Sequence, residues 1–225
     1  DSLKLFKILY QMLPDKKEGR LPFISSLNYT SGISQEEYMK ECLNYNSVLE
    51  KKYNIENDKS QFNWNKSDKI NLAFLSADFK IHSVSHFLID LLKKIDKSKF
   101  NVYLISNLKT VDQDNVSQQL KKLVYKWLDV HDFSDDDLTS FLRSLKLDIL
   151  IDLSGFTNGN RFEVLIRRCA KVQIEWLGYN NSLGAKNIDY LISDKNLIKS
   201  NEINLYKEDI LFMPNIWNAL SPPEK

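Results

Sequence analysis

The chain has 225 residues, 43% hydrophobic and 27% charged, and its 31 basic residues against 30 acidic ones leave a formal net charge of +1. This globular composition excludes general disorder and collagen-like repeats, and the balanced charge argues against a general nucleic-acid-binding surface, which needs a surplus of Lys and Arg on one face. No apolar run reaches the roughly 20 residues of a membrane span, no signal-peptide layout opens the chain, and two cysteines, Cys42 and Cys169, can build neither a disulfide framework nor a four-cysteine metal site, so a reducing, cytoplasmic setting is expected.

The chain starts at Asp1 rather than Met, the mark of a fragment or a processed chain. Leu3, Phe6, Leu9, Tyr10 and Leu13 follow helical spacing, and Pro14 with the charged DKKEGR stretch is expected to end that helix. It is read either as the end of a longer helical array, such as tetratricopeptide repeats, or as a helix folded back on the main domain. A second helix is announced by Ser34 and Glu37, a capping-box pair, with Tyr38, Cys42, Tyr45 and Leu49 along one face. The polar segment 51–69 reads as a linker, which divides the chain into a helical extension over 1–66 and a main domain over 67–225.

From Lys69 onward short apolar runs alternate with helical spacing. Strands are expected at INLAFLSADF (70–79), NVYLIS (101–106), DILIDLS (148–154), VQIEWLG (172–178) and DYLIS (189–193). Helices are expected through Val84, Phe87, Leu88, Leu91 and Ile95, through Val116, Leu120, Leu123 and Trp127, after the Ser134–Asp137 cap, and through Phe162, Leu165, Ile166 and Cys169. The alternation predicts an α/β domain, a Rossmann-like parallel sheet with helices on both faces. In such sheets ligands bind beyond the carboxyl ends of the strands, so the residues just after each apolar run are the informative ones.

The loop from Ser76 to His86 holds two of the three histidines, His82 and His86, four residues apart. A helix start near Ser83 would favour the neutral imidazole that a general base or hydroxyl-orienting group needs. The competing reading packs His86 locally and leaves His82 solvated. A zinc pair lacks a third clustered ligand. The loop 155–161, Gly-Phe-Thr-Asn-Gly-Asn-Arg, has glycines and amides before a helix, a layout that lets backbone N–H groups approach an anion, although Asn160 also reads as a capping residue. The loop 176–185 offers small polar residues after Trp176, or an ordinary turn with Trp176 in the core. Asp135, Asp136 and Asp137 read as helix-capping charges rather than metal ligands.

Together these loops resemble the O-linked N-acetylglucosamine transferase and SPINDLY family of inverting glycosyltransferases. LAFLSADFKIHSVSHF (72–87), DILIDLSGFTNGNR (148–161), KVQIEWLGYNNSLGAKNIDYLISD (171–194), SSLNYTSGISQEEYMKE (25–41) and LFMPNIWNALSPP (211–223) are similar to family segments in the family's order. The resemblance implies the first lobe of a GT-B fold, a UDP-sugar as donor substrate with no further cofactor or metal, and a protein or peptide acceptor of the sugar. It places His82 on the family's proposed base or acceptor-orienting histidine, and Thr157 in the sugar-proximal loop. His86, Asn160, Tyr179 and Gly184 are the further substrate-binding candidates from the same loops. Phe156 stands where the family usually has His or Tyr, Asn180-Asn181 replaces Pro-Gly, and Lys225 falls where a second, carboxy-terminal lobe would begin. Neither nucleic acid nor membrane is expected as a partner. Enzymes using GDP-fucose or UDP-glucose, and a non-catalytic lobe that only binds protein, are the alternatives.

Overall fold

The computed structural model describes residues 2–55, 60–62, 64 and 68–218. Seven strands form one sheet: β1 (Ile70–Ser76), β2 (Phe100–Ser106), β3 (Lys126–Asp129), β4 (Leu147–Asp152), β5 (Ala170–Glu175), β6 (Tyr190–Ser193) and β7 (Asp209–Phe212). Their order is β3-β2-β1-β4-β5-β6-β7, and every pair is parallel. The helices are α1 (Ser2–Met12), α2 (Lys17–Asn28), α3 (Gln35–Lys52), α4 (Ser83–Lys94), α5 (Asn115–Leu123), α6 (Asp135–Ser144) and α7 (Phe162–Leu165).

Both faces of the sheet are covered, as its near-continuous apolar strands require. Alternate residues of β1 serve opposite faces: Leu72 and Phe74 pack with Val84, Leu88 and Leu92 of α4, whereas Ala73 and Leu75 pack with residues of α2, α3, α6 and α7. This is the doubly wound, Rossmann-like arrangement that the alternating pattern predicts. The Ser34–Glu37 capping box forms, with Ser34 Oγ accepting from Glu37 N–H at 3.1 Å and Ser34 N–H donating to Glu37 Oε2 at 2.8 Å.

The first helix ends at Met12, before Pro14 and the DKKEGR stretch, as expected; α2 then starts within that stretch, with Pro22 inside it. Two expectations need correction. Trp127 belongs to no helix: α5 ends at Leu123, and Trp127 lies on the edge strand β3, where its ring packs tilted against Phe79 at 5.7 Å. Cys169 lies beyond α7, which is a single turn. Arg168 takes a φ of +57° and a buried ion pair to Asp189, 2.7 Å from Nη2 to Oδ1, and the chain enters β5 at once.

The domain boundary expected near residue 66 lies outside the described residues. On its amino-terminal side, α2 and α3 contribute Ile24, Tyr38, Cys42 and Tyr45 to the same hydrophobic cluster as the sheet residues Ala73 and Leu150. No residue of α1 is buried.

Candidate functional site

In the sheet order, the chain departs from β1 in two directions, to β2 and β3 on one side and to β4 onward on the other. The crevice outside the carboxyl ends of β1 and β4 is therefore the topological switch point of the fold. A cavity of about 600 Å³ opens there, and loops after five successive strands line it: Asp78, Lys80 and His82 after β1, Asn107 and Lys109 after β2, His131 after β3, Thr157 to Gly159 after β4, and Leu177 with Gly178 after β5.

The loop that carries His82 is held at several points. Ser76 Oγ accepts from Asp78 N–H at 2.9 Å, Ser85 Oγ donates to Asp78 O at 3.0 Å, Ile81 N–H donates to Asp114 Oδ2 at 2.7 Å, and Ser117 Oγ donates to Phe79 O at 2.6 Å. Asp114 also caps α5 by accepting from Ser117 N–H at 3.0 Å. Burial alone would raise the Asp114 carboxyl, but the N–H groups of Ile81, Ser117 and Val116 outweigh it and hold it below the usual carboxylate range.

His82 is the N-cap residue of α4, with its side chain 42% exposed on the cavity wall. Its Nδ1 accepts from Val84 N–H at 3.3 Å. A neutral ring so bonded carries its proton on Nε2 and presents a donor to the cavity. His131, a wall residue that spacing alone did not single out, has the opposite polarity. Its Nδ1 lies 3.2 Å from the carbonyl oxygen of Asn107, which can only accept, so the neutral ring keeps Nε2 free as an acceptor. Sequence spacing could not find it, because it is brought in by β3, an edge strand with a weak signal.

Arg161 fixes this part of the wall. Its guanidinium donates to Asn107 Oδ1 at 3.0 Å, Asp135 Oδ1 at 2.7 Å, Val130 O at 3.2 Å and His131 O at 3.0 Å, while Asn107 Nδ2 donates to Gly159 O at 2.8 Å. The acidic run before it is engaged throughout: Asp135 by Arg161, Asp136 by Arg167, and Asp137 by the Ser134 cap.

The other candidates divide. Thr157 lines the cavity, although its Oγ1 donates to Ser154 O at 2.7 Å. Asn160 faces a neighbouring groove of about 670 Å³ between α1, α2 and the same loop. Its side chain accepts from Phe162 N–H at 3.1 Å and donates to Thr157 O at 2.6 Å, which closes the turn that leads into α7. His86 sits in the first turn of α4, half-buried, and is not a wall residue of the cavity. Tyr179 and Gly184 point away from it, toward α3. Tyr179 is buried, its hydroxyl 2.9 Å from that of Tyr38, and Gly184 at φ +67° leaves a Cβ only 3.0 Å from Cys42 Cβ.

The departures from the family pattern have local explanations. Phe156 turns into the core, edge-on to Phe162 at 4.8 Å and to Tyr179 at 5.4 Å. Asn181 binds its loop to the helices, donating to Asn28 Oδ1 at 2.8 Å and accepting from Gln35 Nε2 at 2.7 Å.

Known proteins share this sequence and fold in part. The description Glycosyl transferase family 41 matches residues 25–219. Over 155 residues the chain is 29% identical to the probable UDP-N-acetylglucosamine--peptide N-acetylglucosaminyltransferase SPINDLY of Solanum lycopersicum, covering 67% of this chain and 16% of that protein. It is 26% identical over 158 residues to the UDP-N-acetylglucosamine--peptide N-acetylglucosaminyltransferase of Caenorhabditis elegans, covering 70% of this chain and 14% of that one. The chain thus spans about a sixth of the tomato relative's length. A solved structure of a Thermobaculum terrenum O-GlcNAc transferase mutant superposes with a TM-score of 0.85 at 23% identity, over 98% of this chain and 42% of that one, and so shares the fold.

Proposed function

Because the chain belongs to glycosyl transferase family 41, we propose that it is the amino-terminal lobe of an inverting GT-B enzyme that transfers N-acetylglucosamine from a UDP-sugar to Ser or Thr hydroxyls of proteins. A second lobe beyond these residues would hold most of the nucleotide, and the present lobe would supply the rim facing the acceptor. The activities for which the relatives are named support the donor and acceptor class. The observation that carries the reading is His82 at the N-cap of α4, on the wall of the cavity at the switch point.

In the tautomer described above, the imidazole orients an acceptor hydroxyl by donating from Nε2 to its oxygen. Removing the hydroxyl's proton at Nε2 would require the ring to give up the bond from Val84 N–H and move its own proton to Nδ1. His82 is therefore assigned an orienting role. Thr157, Asn158 and Gly159 line the same cavity. Two free, buried cysteines accord with a reducing compartment, and hence the cytoplasm. Among the described residues no helix is long and apolar enough to cross a membrane.

The test is transfer of labelled sugar to protein by the full-length gene product, with UDP-N-acetylglucosamine, UDP-glucose and GDP-fucose offered in parallel. Transfer from UDP-N-acetylglucosamine is expected, with kcat lowered about 100-fold in His82→Ala and little or no turnover by the 225-residue chain alone. Preference for another nucleotide sugar would replace the donor assignment, and unchanged turnover in His82→Ala would remove the residue's role.

A further inference from the structure

Asp152 ends β4 and Glu175 ends β5, and the two are register partners in the parallel ladder. Their chain neighbours Ile151 and Ile174 join the cluster on the α4 side, so both carboxyl groups leave the opposite face, toward α3. Asp152 is 1% exposed and Glu175 0%. Asp152 Oδ2 accepts from Gly155 N–H at 2.8 Å. Among the described residues Asp152 Oδ1 and both oxygens of Glu175 make no hydrogen bond to an N–H or hydroxyl, although the N–H groups of Ser154 and Leu153 also favour the charged form of Asp152. Two ionised carboxylates side by side here would repel each other and remain poorly solvated, a cost of several kcal/mol per ion; one proton between them ends the repulsion and leaves a single buried charge.

We propose that Glu175 is kept as the neutral acid and donates its proton to Asp152, forming a one-proton carboxyl pair that anchors Gly155 and with it the loop 155–160 of the cavity wall. Glu175 is thus a positioning residue, acting through Asp152. The charged groups that act on it are Asp152 itself and Glu208, which precedes β7. Glu208 is already occupied, accepting from Leu183 N–H at 3.0 Å, Gly184 N–H at 3.1 Å and the Ser182 hydroxyl. Tyr179 from the following loop and Tyr38 and Cys42 from α3 complete the titratable surroundings, and burial raises all three. None supplies a cation. Burial, then the neighbouring Asp152, pushes the Glu175 carboxyl well above its ordinary range, and burial pushes Asp152 up to about 6 against the bonds it accepts.

A native carboxyl held above its unfolded value favours folding at low pH and loses that contribution as pH rises through the native value. Glu175→Gln keeps a donor toward Asp152 but has no proton to lose. The folding constant of the 225-residue chain, measured by urea unfolding, should therefore fall with pH more steeply in the wild type than in Glu175→Gln. The ratio of variant to wild type is expected to rise about tenfold per unit between pH 5 and pH 7. A ratio that stays flat overturns the proposal. Should the variant not fold, infrared spectroscopy of the wild type at pH 7 decides instead: a protonated-carboxyl C=O stretch supports the pair, and its absence overturns it. The proposal rests on the functional reading only in that Thr157 to Gly159 of this loop line the proposed site, and neither measurement depends on whether sugar transfer is observed.

Discussion

Leu177 has a φ of +80° while 6% exposed on the cavity wall, and Gly178 N–H donates to Trp176 O at 3.1 Å across it. This is a tight γ-turn in a sparsely populated backbone region, of the kind that persists where the surroundings over-determine it. The surroundings here are the end of β4: a Cβ on Gly178 would lie 1.8 Å from Leu153 O. Gly178→Ala should therefore lower stability by about 3 kcal/mol, read as a shift in the urea midpoint, and a variant as stable as the wild type would show that the two strand ends can separate freely. At this scale the sequence was a partial guide. The positions of His82 and Thr157 on the cavity wall were legible because both follow a strongly apolar strand. Tyr179 and Gly184 come from an equally suggestive loop, but the buried hydroxyl of Tyr38 and the close approach of Cys42 direct them to structural work, and only tertiary packing decides that.

Among the elements, α5 shows how one cap serves two purposes. Asp114 satisfies the first turn of the helix and also receives Ile81 N–H from the loop before His82. Asp114→Ala is expected to cost about 1 kcal/mol at pH 7. Because the native carboxyl is held below its usual range, that contribution is present above the unfolded pKa and lost as pH falls through the native one. The gap between variant and wild type should accordingly close below about pH 4, and a gap independent of pH in paired thermal melts would separate the stability effect from the carboxylate. The central strands and α3, α4 and α6 were legible from apolar runs and caps. α2 was not, because Gly19 and Pro22 mask a helix that packing of Leu21, Phe23 and Ile24 sustains. β3 and β7 were not either, since four-residue edge strands carry too little periodicity to distinguish them from loop.

For the molecule as a whole, Arg161 joins the outer half of the sheet to the inner. It reaches Asn107 after β2, the carbonyls of residues 130 and 131 after β3, and Asp135 at the start of α6, from a position on the loop after β4. Arg161→Ala leaves these acceptors short of a donor and should cost about 2 kcal/mol, with faster amide exchange in residues 130–133. Arg161→Lys cannot span the same acceptors with one ammonium and should recover only part of the loss; full recovery would reduce the residue to its charge. The fold class was legible in the alternation of apolar runs, and the general location of the site followed from the rule for strand ends. The convergence of five loops on one cavity was not, because strand order is a property of crossovers rather than of any local segment.

That order has a consequence for synthesis on the ribosome. The central strand β1 is complete at Ser76, but its partner on one side, β4, is not made until Leu147–Asp152 have been translated. Through that interval β1 can offer an unpaired, largely apolar edge, the feature most exposed to wrong partners during slow assembly of parallel sheets. Nascent chains stalled between these two points would be the natural clients of a chaperone.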